Sequence, residues 1–340
     1  MRSETPPADN PTGPWQCRLH VVTGKGGTGK TTVAGALAVA LATGGRRVLV
    51  TEVEGRQQIA QLFDTPPLPY LETKVASAPG GGEVFALAID PAEALMEYLE
   101  MFYSLRRAGS ALRKIGAVDF ATTVAPGVRD VLLTGKVKEA VNRPDATREG
   151  GMAYDAVVLD APPTGRIARF LNVSSEVAGL AKVGPIRSQA DSVMKVLRSA
   201  QTAVHLVTLL EEMPVQETVD GIASLVEAGL PVGGVVVNMR RTPLLFPEDL
   251  AAAASGSLDP EEIVAGIKET GVEPSDPLVA ALASEAADHA RRVELETVER
   301  AELDRLGRPT YELPLVPYAV DLGVVYRFAD ELREQGMVAR

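Results

Sequence analysis

Cysteine is nearly absent: Cys17 is the single one in 340 residues. No disulfide can close within the chain, which fits a reducing, cytoplasmic setting. No cysteine cluster exists for zinc or for an iron–sulfur centre. Histidine is also scarce, with three residues, and His20 and His205 fall inside apolar runs where a packed ring is the simpler reading than a metal ligand. No uninterrupted apolar run approaches the roughly 20 residues of a membrane span. The first 14 residues are polar and proline-rich, lack the apolar core of a signal peptide, and read as a flexible leader. Positive charge is in deficit. The 34 Lys and Arg stand against 45 Asp and Glu, and a net charge of -11 argues against a non-specific nucleic-acid partner.

Apolar residues are plentiful, at 46% against 23% charged, so the chain has the means to build a sizeable core. Apolar, β-branched runs recur at 18–22, 47–53, 84–89, 156–159, 203–209, 233–237 and 311–315. Several are apolar almost throughout, the pattern of strands covered on both faces of a parallel sheet. Helical stretches separate them. The expectation is a doubly wound α/β domain over residues 15–340, with helical insertions at about 91–152 and 247–307.

The first run leads into Gly24-Lys25-Gly26-Gly27-Thr28-Gly29-Lys30-Thr31-Thr32 and then a helix. This matches the phosphate-binding loop in its strand–loop–helix context. Glycines let backbone N–H groups turn inward around phosphates, and the helix N-terminus adds its dipole. Lys30 is expected on the β- and γ-phosphates of ATP, the Thr31 hydroxyl on Mg²⁺, and Thr32 near the α-phosphate. Lys25 is a second loop lysine that cannot easily serve the same phosphates. The run at 156–159 ends in Asp160-Ala161-Pro162-Pro163-Thr164-Gly165-Arg166. Asp160 is placed to hold Mg²⁺ through water, and the loop after it to respond to the γ-phosphate.

These motifs resemble those of the arsenite-pump (ArsA) and tail-anchored-protein targeting (Get) ATPases. The phosphate loop is similar to that family's G-K-G-G-V-G-K-T-T, and the run from Asp160 to its D-T-A-P-T-G-H switch II. Glu211, Met213, Glu217 and Thr218 resemble a segment after the next strand. Asn238 matches its adenine-recognising residue, and Leu313–Tyr318 its adenine-closing loop, so Pro317 and Tyr318 join the expected ATP site. The resemblance implies a P-loop NTPase fold and a nucleotide-driven dimer, in which Lys25 reaches the partner subunit's nucleotide much as an arginine finger does. It also implies a water-orienting acid in switch I. Counting back from Phe63, that acid falls on Glu54, with Glu52 its rival.

Departures bear on the biological role. Glu54 stands where the family has Asp, and Arg166 where it has His. The bridging C-x-x-C zinc pair and the metalloid-binding cysteine triad are both missing; three soft thiolates are what As(III) requires. The expected activity is Mg²⁺-dependent ATP hydrolysis, as a homodimer or a heterodimer with a paralogous ATPase, handling a hydrophobic protein client. Segments 94–105 and 277–295 supply apolar faces for such a client. Two alternatives stand beside it: a catalytically weak regulatory subunit, and a MinD/ParA-type positioning ATPase. The second is disfavoured by the Pro-Pro-Thr-Gly switch II and by the mixed charge of residues 326–340.

Overall fold

The computed structural model describes residues 17–103, 126–145, 151–172 and 185–338. The leader at 1–14, and the parts of the first insertion at 104–125 and 146–150, lie outside the described residues.

Eight strands form one sheet: β1 (Leu19–Gly24), β2 (Arg47–Glu52), β3 (Thr73–Ala78), β4 (Gly82–Ala88), β5 (Ala156–Asp160), β6 (Thr202–Thr208), β7 (Val232–Arg240) and β8 (Thr310–Pro314). Their order is β3-β4-β2-β5-β1-β6-β7-β8, and every pair is parallel except β3 with β4. Alternate residues serve opposite faces. Leu19, Val21, Leu49, Val157, Leu159, Leu206 and Val235 enter one core, while Val22, Val48, Val50, Val158, Val207 and Val236 enter the other. Both faces are covered, which is why these strands read as unbroken apolar runs.

The seven parallel-type runs read from sequence are all strands. The eighth, β3, was not foreseen. Its sequence, Thr-Lys-Val-Ala-Ser-Ala, lacks a large apolar residue apart from Val75, because it is an edge. It turns back onto β4 through Gly80 and Gly81, both at positive φ (78° and 84°), the conformation that tight hairpin turns require. Lys74 pairs with Glu83 at 2.8 Å across that edge, and an edge lysine discourages pairing with another chain.

Helix α1 (Lys30–Ala42) is buried continuously from Val33 to Ala42. It lies between the sheet and the last helix, Leu322–Glu334. A helix apolar all round is stable only in such a position. Short helix α2 (Gln58–Leu62) follows β2. Helices α3 (Pro91–Tyr103), α4 (Pro126–Asn142), α5 (Thr164–Leu171) and α6 (Pro185–Leu197) cover the other face, with α7 (Glu212–Glu227) after β6. Residues between β7 and β8 form α8 (Pro247–Ser255), α9 (Pro260–Glu269) and the long α10 (Asp276–Asp304); the Leu322–Glu334 helix is α11. Among the described residues, no helix is long and apolar enough to cross a membrane.

Two buried histidines join β1 to β6. His20 Nε2 lies 3.0 Å from the Cys17 carbonyl and must donate to it, so His20 Nδ1 accepts from His205 Nε2 at 3.1 Å. His205 Nδ1 in turn accepts the Gly234 N–H at 3.2 Å. Every nitrogen is used once, and only if both rings are neutral. Burial drives His20 down to about 4 and His205 well below its usual range. Folded values below the unfolded value mean that the unfolded chain binds protons first. The pair's contribution to stability is therefore complete above about pH 6.5 and shrinks as pH falls towards 4. Imidazole ¹⁵N NMR should show both rings as neutral Nε2–H tautomers at pH 5.5; a titration near 6.5 in the folded protein would contradict the arrangement.

Candidate active site

The site is built at the carboxyl ends of the central strands, where open α/β sheets place their ligands. Strand β1 ends at Gly24, whose backbone runs so close to β6 that a Cβ there would lie 2.1 Å from the Val207 carbonyl oxygen. At the other end of the loop, Gly29 caps α1 with φ 84°, and its Cβ would lie 2.3 Å from Asn238 Nδ2. Only glycine fits either place. Within the loop, the Thr28 hydroxyl donates to the Lys25 carbonyl at 2.9 Å, and the Lys30 ammonium donates to the same carbonyl at 3.2 Å.

The register of β1 with β5 sets Val22 opposite Asp160. That carries the acid to the start of α1, where its Oδ2 lies 2.6 Å from Thr31 Oγ1. Thr31 Oγ1 also lies 3.0 Å from Gln58 Oε1. One hydroxyl hydrogen faces two acceptors, so three oxygens converge with more lone pairs than protons. Burial raises Asp160 to about 6, with Glu52 and Glu54 adding to the rise against the Thr31 hydrogen bond and Lys30. Burial also lowers Lys30, opposed by Asp160 and Glu54. The site is thus short of positive charge and lined with hard oxygen donors, a set that fits Mg²⁺.

Switch I separates the two candidate acids. Glu52 is buried, and its carboxylate accepts the backbone N–H groups of Gln57 and, at 3.0 Å, Ile59. It fixes the loop and the start of α2. Glu54 faces the cleft instead, about a quarter exposed, with Arg56 at 3.8 Å and Arg166 at 3.7 Å. The cleft of about 490 Å³ is bounded by Gly26, Gly27, Gly29, Lys30, Thr31 and Thr32 on one side. Glu52, Glu54, Gln58 and Asp160 face them. The Thr23 hydroxyl donates to the Pro162 carbonyl at 2.7 Å and ties β1 to the switch II loop.

The remaining expected residues are not gathered in this cleft. The Lys25 ammonium sits 2.9 Å from Glu217 Oε1 on α7, and Glu217 Oε2 accepts from Thr164 at 3.3 Å. Asn238 is buried beneath the phosphate loop, its Nδ2 donating to the Thr28 carbonyl at 2.9 Å. Tyr318 is exposed and accepts from Arg327 at 3.1 Å; Val320, not Pro317 or Tyr318, borders the cleft. Sequence reasoning missed a role for Gln58, which follows the switch I acid without a family signature of its own. It also missed the bridge that Glu217 makes between Lys25 and switch II.

A parallel sheet with a glycine-rich strand–loop–helix and an acid on the adjacent strand end defines a P-loop NTPase. The family model for anion-transporting ATPases matches residues 17–201. ATPase BagA of Mycobacterium tuberculosis (strain H37Rv) is 55% identical over 320 residues, 94% of either chain. ATPase GET3 of Rhodotorula glutinis is 24% identical over 261 residues, 67% of this chain and 70% of that one. The arsenical pump-driving ATPase of Acidiphilium multivorum is 26% identical over 290 residues, 76% of this chain and 45% of that one. The chain belongs to the anion-transporting ATPase family.

Proposed function

We propose that the protein binds Mg·ATP in the cleft between the phosphate loop and Asp160 and hydrolyses it, with dimerisation coupled to nucleotide and a protein partner as the output. The carrying observation is that Lys30, Thr31, Gln58, Glu54 and Asp160, which come from three separate segments, meet around one cleft. Lys30 and the loop N–H groups bind the β- and γ-phosphates. Thr31, Gln58 and Asp160 would hold the magnesium ion, which when bound screens phosphate charge. Glu54 orients the attacking water. Asn238 braces the phosphate loop, and with Pro317 and Tyr318 it borders the base. The partner subunit is a second copy or a paralogous ATPase. The single cysteine, Cys17, is buried, so metalloid stimulation through a thiolate triad is no part of this reading.

A second reading, a slow ATPase that supports a paralogue, is favoured by one observation: Arg56 and Arg166 both approach Glu54 within 4 Å. Two guanidiniums this close compete with an attacking water for the carboxylate oxygens.

The switch I acids provide the test. Glu54→Gln should keep ATP affinity and lower single-turnover hydrolysis by roughly 100-fold or more, the scale of a lost proton acceptor. Glu52→Gln should instead destabilise the fold by about 1–3 kcal/mol, because an amide cannot accept both backbone N–H groups. Full activity in Glu54→Gln, with hydrolysis lost in a folded Glu52→Gln, would reverse the assignment.

A further inference from the structure

The negative charge of this chain is concentrated in one place. Residues 244–304 hold fifteen Asp and Glu against four Lys and Arg, leaving thirty of each sign on the rest of the chain. This is the α8–α10 region, and it surrounds a second cleft of about 660 Å³ that shares no lining residue with the cleft at the phosphate loop. Leu245, Leu258, Ile263 and Leu282 form its apolar wall. Asp249, Glu262, Glu285 and Asp288 stand on its rim, with Arg292 as the opposing charge. Asp288 is paired with Arg291 at 2.6 Å, which leaves the other three acids for a partner. Leu244, which also lines the cleft, is 82% exposed, and Phe246, outside that lining, is 72% exposed. An occupant confined to the cleft, such as a small molecule, would leave Phe246 in water.

The scaffold beneath is firm. Arg241 pairs with Glu296 at 2.8 Å, Arg300 reaches Glu312 on β8 at 3.4 Å, and Leu303 enters the sheet core. The carboxyl half of α10 is therefore anchored, while its amino half, with α8 and α9, presents the cleft. Asp259 and the prolines at 247, 260 and 277 fix the three helix starts.

We propose that this cleft docks an amphipathic helix of a protein partner whose apolar stripe is flanked by Lys and Arg. Charge selects this occupant from the alternatives. An anionic membrane surface and nucleic acid are both repelled by the acidic rim. A second copy would bring the same acids face to face. An apolar stripe at i, i+3, i+4 and i+7 fills such a groove, and basic flanks meet Asp249, Glu262 and Glu285. This deepens the reading of partner handling and uses none of the nucleotide chemistry.

The test is fluorescence anisotropy on the full chain. The probes are a labelled helical peptide of about 18 residues carrying that leucine stripe with lysine flanks, and its counterpart with glutamate flanks. The wild type should bind the lysine peptide at least ~10-fold more tightly, with the preference shrinking as salt rises. Glu262→Lys combined with Glu285→Lys changes exposed residues only and should abolish or reverse the preference. Ile263→Asp should weaken the lysine peptide ~10-fold with circular dichroism unchanged. Lys30→Ala should bind the peptide as the wild type does, so the docking surface and the ATP cleft fail independently. Equal binding of both peptides, an unchanged preference after rim reversal, or stronger binding to phosphatidylglycerol vesicles would each overturn the proposal.

Discussion

Replacing Lys30 by Ala should reduce ATP affinity by roughly 100-fold or more in titration calorimetry while leaving the fold intact. The two halves of that expectation have separate causes. The ammonium is the cation of this cleft that the loop itself supplies, and charge-assisted contacts to phosphate in a partly desolvated site are the strong ones. The fold, by contrast, owes little to it. Helix α1 is held by the continuous packing of Val33 to Ala42 against the sheet and α11, and Lys30 itself sits in a burial that lowers its pKa. Removing it relieves that penalty but leaves the buried Asp160 less compensated, so the two effects oppose each other and the melting temperature should change little. Asp160 should respond as well. It loses a charge that opposes its upward shift from burial, so its protonation should move above the present value of about 6. An unchanged ATP affinity would refute the phosphate-loop assignment outright.

Much of this site was legible because it depends on backbone topology. Thr31 and Asp160 are far apart in sequence, but a strand-ending acid and a strand-ending glycine loop meet whenever their strands are neighbours, as β1 and β5 are. The central strands were legible for the same reason that they are central: with both faces covered, nearly every residue must be apolar. The edge strand β3 was not, because it exposes Lys74 and Ser77 and its placement comes from the Gly80–Gly81 turn. Side-chain direction was the other blind spot. Asn238 lies under the phosphate loop because Gly29 has no Cβ to keep its amide out, and Met239 follows at φ 55°, turning the chain as it leaves β7. The competition between Glu52 and Glu54 was likewise a matter of direction. Two residues apart on an extended segment, both acids share a face in principle. Only the backbone N–H groups of Gln57 and Ile59 distinguish the one that is occupied.

Lys25→Ala should lower turnover by on the order of 1,000-fold while changing ATP affinity only a few-fold, if its charge acts in the transition state on the partner subunit's nucleotide. In the single chain its ammonium is held by Glu217 at 2.9 Å, with both side chains about a third exposed. A pair that accessible is worth roughly 0–1 kcal/mol, so releasing the lysine costs little against the stabilisation that a finger-like cation supplies. Glu217→Gln should therefore keep turnover or raise it a few-fold, since the amide still accepts from Thr164 but no longer holds the lysine. A loss in Glu217→Gln as deep as that in Lys25→Ala would mean that the lysine works within its own chain, by fixing switch II through Glu217 and Thr164. Mixed dimers decide between the two directly. Lys25→Ala and Lys30→Ala should each be nearly inactive alone. Mixed, the Lys25→Ala subunit binds ATP while its Lys30→Ala partner contributes an intact Lys25. Hydrolysis should reappear at up to half of the per-dimer rate when the lysine acts across the interface. Action within the chain leaves every mixed dimer inactive, because neither subunit carries both lysines.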